Sequence, residues 1–173
     1  SHALILSVVF LAFTVIAGFL LASARTTLSV ASVVGYPVKL HLTLGLFGAF
    51  MLGIVGSGQK LLSMFALSKG GGQWRVRAAI YLVAAALVAE SVQAFLRVQL
   101  GPLPTLLLAA GGLMQLVEVY AIHKRRLRKK LEAPIERYVL AHLFMPVAGL
   151  LVLFGQPAAA GAAFLVGFIG LAV

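Results

Sequence analysis

The sequence predicts an all-α fold, a polytopic bundle of about six transmembrane helices, and three observations carry that expectation. Hydrophobic residues make up 62% of the chain, charged residues only 10%, and the mean hydropathy is +1.08. Soluble domains carry roughly 25% charged residues to wet their surface, so the solvent for most of these side chains is lipid. Apolar stretches long enough for a bilayer recur between short Gly-, Pro- or Lys/Arg-rich connections. The basic residues concentrate in alternate connections, as a topology signal requires.

The first span covers residues 3–23, apolar throughout, with Gly18 as a close-packing point. A Ser/Thr-rich connection from Arg25 ends in Gly35-Tyr36-Pro37. The second span, 38–65, exceeds the ~20 residues a membrane needs. Its glycines at 45, 48, 53, 56 and 58 place it inside the bundle, because small residues let helices approach closely. Lys69 to Arg75 reads as a flexible turn with an interfacial Trp74. The third span is 78–98, broken by Gly101-Pro102 and Pro104, and the fourth is 103–122. The basic run from His123 to Lys130 is an amphiphilic extension that Pro134 ends. The fifth span is 138–154, and Gly155-Gln156-Pro157 turns the chain into a sixth, 158–173. That last span falls short of a ~30 Å core, so residues 1–173 read as one membrane domain of a longer chain.

Net charge is +10, with no Asp and no Cys; the four acids are Glu90, Glu118, Glu132 and Glu136. Without cysteine, disulfide exchange, thiolate metal sites and cysteine nucleophiles are excluded. Half of the basic residues fall in one connection between apolar spans, which favours topology over nucleic-acid binding. Lys69, Arg75 and Arg77 follow the second span; Lys124, Arg125, Arg126, Arg128, Lys129, Lys130 and Arg137 follow the fourth. The alternate connections hold Arg25, Lys39 and Arg97. The expected localisation is the bacterial cytoplasmic (inner) membrane, multi-pass, with both termini and the basic connections cytoplasmic. The lipid bilayer, and another membrane subunit, are the partners this implies; nucleic acid is not.

Ionisable groups in hydrocarbon cost several kcal/mol and need a reason. Lys60 and Glu118 sit at similar depth near the cytoplasmic side, so they are expected to pair, with Lys60 snorkelling alone as the alternative. Glu90, Gln93 and Arg97 follow i, i+3, i+7 spacing on one helical face. That stripe reads as polar glue between helices or, less simply, as an ion path. His41 starts the second span at the outer face. His142 lies near the start of the fifth, in the inner leaflet, and reads as an interfacial histidine. The two differ by about 20 Å in depth, so they cannot hold one iron together. Gly56-Ser57-Gly58 lacks the preceding glycine of a rhomboid protease motif, since position 55 is Val.

The second span, Lys39-Leu40-His41-Leu42-Thr43-Leu44-Gly45-Leu46-Phe47-Gly48 through Gln59-Lys60-Leu61-Leu62-Ser63-Met64-Phe65, resembles a helix of bacterial membrane proteins related to heme–copper oxidase subunit I. In that superfamily a histidine early in the second helix binds heme iron near the outer face, and regularly spaced glycines follow it. Relatives often end this helix in Leu-Pro-Met-Phe; here Ser63 replaces the Pro. The fifth and sixth spans faintly repeat the first two, 142–155 matching 2–18 and 161–173 matching 45–58. The paired histidines that bind copper in true oxidases are absent from the sequence. The resemblance implies a heme b ligated by His41, for electron transfer or sensing of a diatomic gas, with Gly45 and Gly48 leaving room for the macrocycle. A transporter or channel component using Glu90, Arg97, Lys60 and Glu118 is the alternative, and a cofactor-free structural subunit of a membrane complex is another.

Overall fold

The computed structural model describes residues 2–26, 35–68, 72–127, 130, 132–154 and 156–172. All regular structure among them is helical. Five helices are long and apolar enough to cross a membrane: His2–Ser23, Leu40–Phe65, Gln73–Leu96, Leu103–Lys124 and Ala133–Val152. A shorter apolar helix, Ala159–Ala172, follows them. The protein is a multi-pass helical membrane protein.

Helix α1 (His2–Thr26) runs 25 residues, about 37 Å at 1.5 Å per residue, and most of its side chains face outward. Ile5, Val8 and Phe19 are 66%, 65% and 72% exposed, a surface suited to lipid. Its inner face lies antiparallel along the second span, which is continuous from Gly35 but not uniformly α-helical. That span consists of α2 (Gly35–Thr43), a π-helical segment π1 (Leu44–Met51) and α3 (Leu52–Phe65).

A glycine seam joins the two spans. A Cβ at Gly45 would lie 3.2 Å from Thr14 Cγ2, at Gly48 2.6 Å from Phe10 Cβ, at Gly53 3.1 Å from Ser7 Oγ, and at Gly56 3.0 Å from Ala3 Cβ. The sequence places these glycines inside the bundle but gives no hint of π1, and the seam explains why π1 is there. At ~100° per residue, an uninterrupted α-helix would carry Gly53 about 120° around from His41. One extra residue absorbed in a π turn returns it to about 20°, in line with Gly45 and Gly48. Ser7 Oγ donates to the Ala49 carbonyl across the seam at 2.8 Å.

Helix α4 (Gln73–Leu96) starts five residues earlier than the sequence suggests and stops two sooner. Trp74, Arg75 and Arg77, expected in a turn and loop, form its first turns. It ends at Arg97, whose φ of 54° is left-handed. Helix α5 (Leu103–Lys124) begins with Pro104 in its first turn, where a missing N–H costs nothing. Val83 and the backbone around Ala79 close on Gly111, locking α4 to α5.

The fifth span also begins early, at Ala133, with Pro134 in its first turn. It is divided into α6 (Ala133–Ala141) and α7 (Phe144–Leu153). Pro146 causes the division: it has no N–H for the His142 carbonyl four residues back, and its ring crowds that carbonyl. The sixth span comprises α8 (Pro157–Ala162), π2 (Ala163–Ile169) and α9 (Gly170–Ala172). Met51, Leu52, Val55, Val83, Leu87, Met145, Phe164 and Phe168 meet in the core, so the second span is its axis.

The seam makes a direct expectation. Gly48→Leu should lower stability by about 1–3 kcal/mol or more, because Phe10 already fills the space. Gly161, where an added Cβ meets nothing within 4 Å, is the control: Gly161→Ala should leave the unfolding temperature in detergent unchanged or raised.

Candidate functional site

His41 leans on α1. A Cβ at Gly18 would stand 2.9 Å from His41 Cε1, so only glycine leaves the imidazole its place. His41 Nδ1 lies 2.9 Å from the Thr14 carbonyl. A carbonyl only accepts, so Nδ1 carries the proton and donates, and Nε2 keeps a lone pair. This bond ties the histidine to the neighbouring span. Gly45 and Gly48 do not leave open space beside the histidine: Thr14 and Phe10 occupy it. Those glycines serve helix contact.

Glu118 does not find Lys60. Its Oε2 accepts from Arg75 Nε at 2.8 Å, with side-chain exposures of 2% for Glu118 and 21% for Arg75. The guanidinium also lies 5.7 Å from the Trp74 ring centroid. Lys60 is exposed, which matches the snorkelling alternative. Depth along the membrane is readable from sequence; which helices are neighbours is not, and α4 rather than the second span presents the cation.

The stripe of Glu90, Gln93 and Arg97 breaks at its third member, because α4 ends at Leu96 and Arg97 turns away, exposed. Gln93 Nε2 donates to Glu90 Oε2 at 3.2 Å, while Gln93 Oε1 accepts the Leu100 N–H at 2.8 Å. Both bonds are local: they fasten the end of α4 to the following turn rather than gluing two helices. Glu90 itself is 8% exposed and borders a chamber of about 290 Å³ between the second to sixth spans. Leu46, Phe47 and Met51 face it from one side, Leu108 and Thr105 from α5, and Phe164 from π2.

His142 is not interfacial. It is fully buried, and its ring stacks 4.5 Å from Tyr138 and edge-on 5.3 Å from Phe168. Nδ1 donates to the Tyr138 carbonyl at 2.8 Å, and Nε2 is buried without a hydrogen-bond partner among the described residues. Tyr138 packs on Gly58, about 25 Å farther along the second span than His41, so the two histidines stand far apart. Among the described residues, no three His, Asp or Glu side chains gather closely enough to hold a metal ion.

Sequence reasoning missed Arg75, Gln115 and the chamber's threonines. Gln115 is 1% exposed, with both amide atoms unpartnered among the described residues; its i, i+3 spacing to Glu118 is the available signal. Removing Arg75 strands a buried carboxylate, so Arg75→Ala should destabilise by about 2–4 kcal/mol. The double variant Arg75→Met with Glu118→Leu should recover most of that in thermal unfolding, whereas Lys60→Ala should change little. Compared with family models, characterised proteins and solved structures, the chain finds no match.

Proposed function

We propose that this protein is a membrane-embedded module related to heme–copper oxidase subunit I, holding a b-type heme through His41 for electron transfer or gas sensing. The observation that supports the reading is the hydrogen bond from His41 Nδ1 to the Thr14 carbonyl. Ligating histidines characteristically bind a carbonyl or carboxylate through the nitrogen that does not meet the metal. The bond fixes the tautomer, leaving Nε2 as the donor atom, and Gly18 lets the ring settle in that orientation. His41 is half-buried, so its free edge is reachable from outside the seam.

An imidazole whose Nδ1 is held by a carbonyl is a donor that a heme iron would accept. Thr14 and Phe10 close the face of the helix at Gly45 and Gly48, so those glycines would give the group no seat and His41 would hold it. A bound heme supplies one-electron or gas-binding chemistry at its iron; the protein's part is to position and tune it. The Thr14 carbonyl orients the imidazole, and α1 holds the ring against rotation. In this reading the module lies in a bacterial inner membrane with the basic stretch in the cytoplasm.

Two measurements test it. Purified protein should show a Soret band, lost in His41→Ala with helicity intact by circular dichroism. Gly18→Val should shift or abolish the band by displacing the ring. Protein that purifies colourless and takes up no added heme overturns the reading. For the orientation, Lys129→Cys in intact cells should resist an impermeant thiol reagent and react after permeabilisation; labelling from outside reverses the topology.

A further inference from the structure

The chamber beside Glu90 lies apart from His41, which does not line it, and its walls are those of a binding site. Its volume of about 290 Å³ is roughly twice the ~150 Å³ cavity that accepts a benzene ring. It is graded along the membrane normal. Thr43 lies near the start of the second span, Thr105 near the start of α5 and Gly161 near the start of the sixth helix. Glu90 lies six residues before the end of α4, about 9 Å in. These residues mark one end of the bundle, while Met51 and Met145 line the deeper part.

Both π segments supply this wall. Phe47 of π1 and Phe164 of π2 meet at 4.3 Å between centroids, tilted by 40°, and both line the chamber. The contacting pair presents one aromatic surface to the chamber, against which a flat ring can pack, and the methionines adapt to its outline. Gln93 is pinned by the Leu100 N–H, which fixes the Glu90 carboxyl in turn. A carboxyl group offers more than one acceptor site.

We infer that this chamber binds a membrane-dissolved amphiphile with a flat head of about two rings and a hydroxyl that donates to Glu90. A neutral donor suits the site better than a cation, because it enters from lipid without the cost of carrying a charge through hydrocarbon. The two threonine hydroxyls offer further neutral hydrogen-bonding partners at the same end.

The test uses the full chain in nanodiscs, with empty nanodiscs subtracted, and two probes of equal size: 1-naphthol and 1-methylnaphthalene. Saturable binding of 1-naphthol is expected, roughly tenfold tighter than 1-methylnaphthalene, the worth of one hydrogen bond to a carboxyl. Glu90→Leu should erase the difference while leaving the methylnaphthalene affinity. Gly161→Leu should abolish binding of both, since its side chain enters open space and fills the chamber with the fold intact. Leu108→Trp fills the same space from α5 should Gly161→Leu misfold. Full-strength naphthol binding in the filled variants overturns the assignment of the site. Equal affinity for the two probes with no dependence on Glu90 overturns the hydroxyl class and leaves the chamber as an acyl-chain slot.

Discussion

The close approach of α1 to the second span is the constraint on which the rest depends. In lipid there is little hydrophobic drive between helices, so van der Waals contact over a long matched surface must hold them. That surface runs from His41 on Gly18 to Gly56 on Ala3, with a residue of α1 against nearly every inward glycine. Keeping it unbroken over four turns forces the π segment. A helix that stayed α throughout would swing its second pair of glycines off the contact. The π turn is therefore a phase correction, and Phe47 within it faces the chamber.

The few polar groups inside the bundle follow a common rule. Each is tied to a backbone carbonyl or a nearby side chain, so the chain rarely relies on water. Thr14 bonds the Phe10 carbonyl, Ser91 the Leu87 carbonyl, and both inward histidines a carbonyl through Nδ1. The exceptions are informative. Gln115 and His142 Nε2 are sealed without partners among the described residues, each a cost of about 1–3 kcal/mol. His142 stands against Tyr138, which closes on Gly58.

The helices were legible because lipid demands long apolar runs, and those runs appear in the composition itself. Their ends were less so. Trp74 and Arg75 looked like a turn, yet they belong to α4, whose first turn at the interface tolerates charge. The glycine positions were read correctly as contact points and wrongly as room for a cofactor, since spacing shows that a face is smooth but not what lies on it. Pairing failed for the same reason. Lys60 and Arg75 both lie near Glu118 in depth, and only the packing order distinguishes them. His142 was placed by counting from Tyr138, but its span starts at Ala133, which moves the histidine a turn and a half inward. The spacing of Gly48 and Gly53 becomes a sign of the π turn only once the facing residues of α1 are known.

The seam joins two spans that are consecutive in the chain, and this orders assembly in time. Once the second span has left the ribosome, every group needed for the contact is already present, and closing it requires only the short connection between them. The hairpin of α1 and the second span can thus dock while later helices are still being made. The chamber cannot. Its walls come from five spans, and Phe164 in the last of them completes it, so any ligand it takes arrives only after synthesis has passed that residue.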